Sequence, residues 1–139
     1  MSTKYIQKAK ECHADNIFTI ENESYINPWN KKHIVNDINH LNSLNYIYEK
    51  NKELRGYLFG YLIKSKYHLN KITVKEKYRG KRIGKLLFHY CVNQLLDNNV
   101  KTIQLEVSSL NLIAQKFYRS LGFIKVGMRK KYYSNEEDA

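Results

Sequence analysis

The sequence has little proline, little cysteine and no long apolar run. It contains one proline and two cysteines, Cys12 and Cys91, which form no Cys-x-x-Cys pair. Both cysteines fall on helical patterns, which favours buried thiols over metal ligands or a nucleophile. No apolar run approaches the roughly 18 residues that span a bilayer, and no signal-peptide pattern opens the chain. We therefore expect a cytoplasmic protein without a membrane segment.

Acidic residues are also few. The chain has 24 Lys and Arg against 13 Asp and Glu, a formal net charge of +11, which predicts attraction to polyanions. The lysines are scattered, and no RNA-binding signature, zinc-finger spacing or helix-turn-helix pattern accompanies them. A small polyphosphate ligand explains the charge as well as nucleic acid does. The five histidines show no metal spacing, so no metal is expected. At 139 residues, we expect one domain over residues 1–139.

One glycine-containing basic segment stands out, Tyr78–Leu87, with the sequence Tyr-Arg-Gly-Lys-Arg-Ile-Gly-Lys-Leu-Leu. It follows a β-rich run and leads into an amphipathic helical pattern. Gly80 and Gly84 let the backbone turn tightly and approach a ligand, and amides at a helix start form an anion site. The segment predicts a phosphate or pyrophosphate site, although a basic loop before a surface helix explains it equally well. It is neither a Walker loop nor a dinucleotide fingerprint.

Hydrophobic periodicity predicts an α/β (α+β) fold with a mixed central sheet flanked by helices. The predicted strands are Lys4–Ala9, Tyr46–Glu49, Leu54–Ser65, Leu69–Lys75, Val100–Val107 and Phe123–Tyr132. The predicted helices are Asp15–Tyr25, Lys31–Leu41 behind an Asn30 cap, one from Ile83 to near Asn98, and one from an Asn111 cap to Ser120.

Three local predictions refine this fold. Gly56 and Gly60 inside one strand indicate a bulge or a close backbone contact. Gly122 is predicted to end the last helix. The buried stripe of that helix is predicted to be Ile113, Ala114, Phe117 and Leu121.

The order of these motifs resembles that of the GNAT N-acetyltransferases over essentially the whole chain. The shared pattern is a strand, Tyr-Arg-Gly-Lys-Arg-Ile-Gly, a helix, Gln-Leu-Glu-Val, Asn, and Phe-Tyr-x-x-x-Gly-Phe. The RimI-type ribosomal-protein-alanine N-acetyltransferases are the most similar subgroup. That similarity depends on Pro28-Trp29, on Glu106 with Asn111 five residues beyond, and on the segment 129–133.

The resemblance implies that the chain binds acetyl-CoA. Main-chain groups of one strand would contact the pantetheine arm, the basic loop would hold the pyrophosphate, and Asn111 would contact the cofactor arm. The implied cofactor residues are Ile72, Thr73, Val74, Arg79, Gly80, Lys81, Arg82, Ile83, Gly84, Lys85 and Asn111. The family pattern has a glycine where this chain has Arg82, and a left-handed backbone there would be strained.

The resemblance also implies that Glu106 is the general base and Tyr118 the general acid. A carboxylate can deprotonate an N-terminal amine, whose pKa is about 7.7–8.0, and a tyrosine can protonate the departing thiolate. Asn111 and Tyr118 are seven residues apart, which places them on one stripe of a helix. From the residues alone, the favoured interpretation of Glu106 is an exposed strand carboxylate and that of Tyr118 is core packing; the resemblance reverses both.

Trp29, Tyr132 and Tyr133 are the candidate acceptor-binding residues. For Trp29 a hydrophobic plug is the open alternative, and the two tyrosines alternatively flank the last strand. The expected function is transfer of an acetyl group to a protein N-terminus, of the ribosomal alanine type, by direct attack in a ternary complex. Two alternatives are a GNAT enzyme for a small amine or a lysine side chain, and a non-catalytic basic module that binds ribosomes or RNA.

The resemblance implies one further apolar strand after the Tyr-Tyr segment, and we expect it to be absent, because only Glu136, Glu137, Asp138 and Ala139 end the sequence. An open sheet edge invites pairing with another chain. We therefore expect either a monomer whose last strand closes the gap or a homodimer formed through that edge; a truncated gene product of marginal stability is the open alternative. No specific nucleic-acid partner is expected.

Overall fold

The computed structural model describes residues 3–124. The chain divides into two units, Met1–Gln104 and Leu105–Ala139. Tyr132, Tyr133 and the predicted last strand beyond Ile124 lie outside the described residues. The predictions of a single domain and of an open sheet edge therefore stay predictions.

The first unit contains a five-stranded sheet in the order β1-β2-β3-β4-β5. Its strands are β1 (Ile6–Lys8), β2 (Tyr46–Lys50), β3 (Glu53–Ile63), β4 (Lys66–Val74) and β5 (Thr102–Gln104). The first four strands pair antiparallel, and β5 runs parallel to β4. This arrangement confirms the predicted mixed sheet.

Helices cover both faces of this sheet. They are α1 (Ala14–Ser24), α2 (Lys31–Asn39) and α3 (Ile83–Asp97). Helices α1 and α2 pack their isoleucines against Tyr57 and Phe59 of β3. Helix α3 lies against the other face, where a Cβ added to Gly56 would be 3.2 Å from Ile83 and 3.4 Å from Leu87. The Asn30 cap is confirmed, since its Oδ1 accepts from the His33 amide at 2.7 Å.

The two glycines of β3 act as predicted. The β3–β4 register shifts between Phe59 and Gly60, opposite Lys71 and Leu69, so that Asn70 is the extra residue of a bulge. At Gly56 the neighbouring strand comes close, because an added Cβ would lie 3.0 Å from the Thr73 carbonyl oxygen. Gly56 therefore permits a close backbone contact, and the bulge lies next to Gly60.

Three predictions for the first unit are wrong. Helix α2 ends at Asn39, so Leu41, predicted to be its last residue, lies beyond it and is 95% exposed. Cys12 is exposed in a 3-10 turn, whereas Cys91 is buried as predicted. Strand β5 covers Thr102–Gln104 only, so Glu106 lies beyond the strand to which it was assigned.

The second unit contains α4 (Leu112–Ser120). Asn111 caps it, with Oδ1 accepting from the Ala114 amide at 3.1 Å. Gly122 follows it with φ of 104°. Both were predicted. The predicted buried stripe is wrong: Ile113 is 86% exposed, and Ala114, Phe117 and Leu121 are only half-buried. Among residues 3–124, no helix is long and apolar enough to cross a membrane.

We predict that Gly60→Ala destabilises the protein. The added Cβ would lie 2.3 Å from the Tyr67 hydroxyl and 2.6 Å from the His68 carbonyl oxygen. The Tyr67 hydroxyl is itself held by the Leu44 carbonyl at 2.6 Å, so the side chain cannot simply swing away. Such overpacking costs about 1–3 kcal/mol, measurable by urea unfolding. Gly56→Ala, whose nearest contact is 3.0 Å, is the comparison and should lose less. A Gly60→Ala variant as stable as the wild type would contradict the packing described.

Candidate active site

The basic loop connects β4 to α3 in the first unit. A 3-10 turn, Glu76–Tyr78, follows the strand, and Gly80 has φ of 77°. A Cβ added to Gly80 would meet nothing within 4 Å, so there is open space beside the backbone. The first helical hydrogen bond of α3 joins the Leu86 amide to the Arg82 carbonyl at 3.0 Å. The three amides before it, from residues 83 to 85, therefore point out of the helix start, where an anion is favoured.

Arg82 adopts the left-handed conformation, with φ of 68° and ψ of 12°, at the N-cap of α3. A residue with a Cβ is strained there. This is the conformation in which an arginine was expected to be strained. Arg79, Lys81, Arg82 and Lys85 are all exposed, so their charge is available to a ligand. Ile83 and Gly84 are buried, so these two residues can offer only their main chain.

Two sets of contacts fix the start of this loop. Arg79 Nε donates to the Val74 carbonyl at 2.9 Å, and Arg79 Nη2 lies 3.3 Å from Ser24 Oγ in α1. Glu53 of β3 accepts from the Tyr78 hydroxyl and lies 3.3 Å from Lys75 Nζ. The Tyr78 hydrogen bond, together with the charges of Lys75 and Lys77, lowers the pKa of the Glu53 carboxyl to about 2. The carboxylate therefore stays ionised and holds the turn against the strand.

The predicted pantetheine-binding segment, Ile72–Val74, forms the end of β4. On one side it pairs with Gly56, Tyr57 and Leu58 of β3. On the other side β5 reaches β4 only at Lys66–His68. Within residues 3–104, the main chain of Ile72–Val74 therefore has no strand partner on that side. An extended arm that carries amides can pair with such an edge.

On the α1 side of the sheet, the buried carboxylate of one α1 residue bonds to three other parts of the chain. Glu21 of α1 is 0% exposed. Its Oε1 accepts from the Trp29 amide at 2.8 Å, and its Oε2 accepts from the Tyr57 hydroxyl at 2.5 Å. Lys71 Nζ lies 3.1 Å and 3.0 Å from the two oxygens. Glu21 thus links α1 to β3, to β4 and to the segment 25–29 between α1 and α2.

The Lys71 ammonium also lies against two aromatic rings. Its Nζ is 4.0 Å from the centroid of Tyr25 and 3.9 Å from that of Trp29. Burial lowers the pKa of Lys71, and Glu21 partly offsets this effect. The Tyr25 hydroxyl is 2.6 Å from Thr73 Oγ1. Burial raises the pKa of Tyr25 and Tyr57, so both phenols remain protonated.

The surroundings of Trp29 fit a hydrophobic plug and still leave part of the side chain accessible to an acceptor. Its ring packs against Phe59 at 5.5 Å and stacks on His33 at 4.8 Å, which is the behaviour of a plug. The residue is nevertheless only half-buried. Its role in binding an acceptor stays a prediction.

The second unit contains the other candidates. Glu106 is half-buried in the irregular segment that precedes α4. Asn111 and Tyr118 lie at the start and in the last turns of α4. The Tyr118 ring contacts Phe117 at 5.4 Å and Phe123 at 5.9 Å between centroids, and Tyr118 is half-buried. The catalytic roles of Glu106 and Tyr118 stay predictions.

Four residues of this cluster were not predicted from the sequence: Glu21, Tyr25, Tyr57 and Lys71. A signal for Glu21 was present, because it falls on the apolar stripe of α1 with Ile17 and Ile20, all three buried. An acid on a buried stripe requires a partner. The partner lies 50 residues away, and periodicity within a helix carries no information about that distance.

Comparison with known proteins identifies the family. Residues 14–123 match the acetyltransferase (GNAT) family model. A candidate ribosomal protein bS18-alanine N-acetyltransferase of Bacillus subtilis is 31% identical to this chain. The match covers 90% of this chain and 84% of the length of the relative. The ribosomal protein bS18-alanine N-acetyltransferase of Haemophilus ducreyi is 29% identical over 84% of this chain and 80% of its own.

A solved structure has the same fold. The ribosomal-protein-S18-alanine N-acetyltransferase of Escherichia coli superposes with a TM-score of 0.84, at 23% identity, over 96% of this chain and 86% of that one. The chain belongs to the GNAT acetyltransferase family. It is an N-acetyltransferase that is similar to the RimI type.

We predict that Arg82→Gly is more stable than Arg82→Ala by about 1 kcal/mol, because only glycine adopts the left-handed conformation without strain. Both variants lose the same guanidinium, so the difference isolates the backbone. Chemical denaturation of the ligand-free protein measures it. Equal stability of the two variants would show that residue 82 is unstrained.

Proposed function

We propose that the protein transfers the acetyl group of acetyl-CoA to the N-terminal amine of a protein, by direct attack within a ternary complex. The observation that supports acetyl-CoA as the donor is the loop Gly80–Lys85. There an open turn, exposed cations and the free amides of α3 come together in one unit. The acceptor half is supported by the relatives, which are named for the alanine N-terminus of ribosomal protein bS18.

The loop fits a pyrophosphate for physical reasons. Gly80 leaves room beside its backbone, and the amides of residues 83–85 begin a 15-residue helix. Together they provide donors at the positive end of a helix dipole. Lys81, Arg82 and Lys85 add cationic charge. In this proposal the edge of Ile72–Val74 pairs with the amides of the pantetheine arm, and Asn111 contacts the same arm.

The proposed reaction needs one base and one acid. Glu106, directly or through a water, takes a proton as the amine nitrogen attacks the thioester carbonyl carbon. The carbon–sulfur bond then breaks, and the leaving thiolate takes a proton from the Tyr118 hydroxyl. The amide nitrogen keeps the acetyl group, and the products are the acetylated N-terminus and the thiol. No covalent intermediate on the enzyme is required.

The acceptor is the part that the relatives support most specifically. We propose an N-terminus that begins with alanine, of the ribosomal kind, with Trp29 contacting the acceptor. A cytoplasmic site of action follows from that substrate. Tyr132 and Tyr133, outside the described residues, are proposed to hold the acceptor backbone. A peptide panel that varies the first residue and includes lysine peptides and small amines tests this. Acetylation confined to lysine side chains or to small amines would contradict the proposal.

We predict that Glu106→Gln lowers kcat at neutral pH by about 10²–10⁴-fold, because the general base is lost. Tyr118→Phe should also lower kcat, since no proton reaches the thiolate. The Kd for acetyl-CoA, measured by calorimetry, should change little in either variant. Glu76→Gln, in the exposed 3-10 turn outside the predicted catalytic residues, is the control. Wild-type rates in both catalytic variants at saturating substrate would contradict the assignment of Glu106 as the base and Tyr118 as the acid.

A further inference from the structure

The surroundings of Lys71 have the composition of an ammonium-binding site. Two carboxylate oxygens of Glu21 and the ring faces of Tyr25 and Trp29 surround its Nζ at the distances given above. A carboxylate combined with aromatic faces is how proteins bind ammonium groups. We call Glu21, Tyr25 and Trp29 the ammonium cage. In this chain a side chain of the protein occupies it.

The cage is held together by contacts in which Lys71 takes no part. Glu21 is fixed by the Tyr57 hydroxyl and the Trp29 amide. The Tyr25 hydroxyl is tied to Thr73, and the Trp29 ring packs on Phe59. Each wall therefore has its own support, and the cage should survive when the lysine side chain is shortened.

The cage adjoins the segment that is proposed to contact the acceptor. Trp29 is both a cage wall and the proposed acceptor residue. Tyr25 is 37% exposed, Ile26 is 97% exposed, and the Lys71 side chain is 17% exposed. Lys71 also immediately precedes Ile72–Val74, the end of the same strand, which is proposed to pair with the pantetheine arm. A cationic group on an acceptor that binds against Trp29 would therefore meet the cage.

We propose that Lys71 determines acceptor specificity: its own ammonium occupies the cage and so denies that site to a cationic group of the acceptor. Acceptors whose first side chain is small and neutral are favoured as a result. Acceptors with a second ammonium near the reacting amine, such as an N-terminal lysine or a diamine, are disfavoured. The inference rests on the proposed N-terminal acetylation.

A binding experiment tests the cage without using activity. Lys71→Ala removes three methylene groups and the ammonium, which propylammonium replaces atom for atom. Trp29 is the only tryptophan of the chain, so its fluorescence reports on the cage directly. We expect propylammonium to give a saturable change in Lys71→Ala, with a Kd at least about tenfold below that of uncharged 1-propanol. The wild type, and Lys71→Met, whose thioether fills the space, should show none.

A kinetic experiment then tests specificity. Two peptides that differ only in an N-terminal Ala or Lys are compared by kcat/KM for acetylation of the α-amine. We expect the preference for Ala over Lys to fall by about tenfold or more in Lys71→Ala and to fall less in Lys71→Met. An unchanged preference in Lys71→Ala overturns the specificity role, even if propylammonium binds.

The remaining outcomes separate this inference from the proposed function. If propylammonium binds no better than 1-propanol, the cage is not an ammonium site and the inference fails. If propylammonium binds but the wild-type enzyme acetylates no peptide N-terminus, the cage is confirmed as an ammonium site. The proposed function is then wrong, and so is the specificity role that rests on it. Should Lys71→Ala fail to fold, propylammonium during refolding is expected to restore its circular dichroism. Failure of that rescue overturns the inference.

Discussion

The fold of the first unit depends on a negative charge placed where water does not reach. A buried carboxylate is costly unless it is paired and hydrogen-bonded. Glu21 has a full set of partners: a lysine ammonium, a phenol and a main-chain amide. Those partners come from β4, from β3 and from the segment after α1. The need to neutralise one carboxylate therefore brings three parts of the chain to fixed positions on the sheet.

The two proposed substrate sides are built in different ways. On the donor side, geometry comes from the backbone: a strand edge without a neighbour over Ile72–Val74 within residues 3–104, a left-handed residue at position 82, and the start of α3. On the acceptor side, geometry comes from side chains around Glu21. Backbone features suit a donor that is the same in every turnover, because amides and helix ends recognise phosphate regardless of the neighbouring side chains. Side chains are easier to vary, which is what selection among acceptors requires.

The features predicted from the sequence are those that depend on neighbours in the chain. The Asn30 and Asn111 caps, the Gly122 helix end and the basic loop before α3 each follow from a few adjacent residues. The failures have tertiary causes. Strand β5 is shorter than predicted, and its length reflects pairing with β4 over three residues only. Leu41 and Cys12 both lie outside the α-helices that formed, and both are exposed. The Glu21–Lys71 pair was missed because its members meet only through the sheet.

The central claim is that Glu21 and Lys71 stabilise the fold as one unit, and a double-mutant cycle tests it most directly. Glu21→Gln keeps the shape of the carboxylate without its charge, and Lys71→Met keeps the length of the lysine. Lys71→Met alone leaves a buried charge without its counter-ion and should lower the free energy of unfolding by about 3–5 kcal/mol. The double variant contains neither charge and should recover a large part of that loss, giving a coupling energy of about 2 kcal/mol or more in urea unfolding. Losses that simply add would contradict the account.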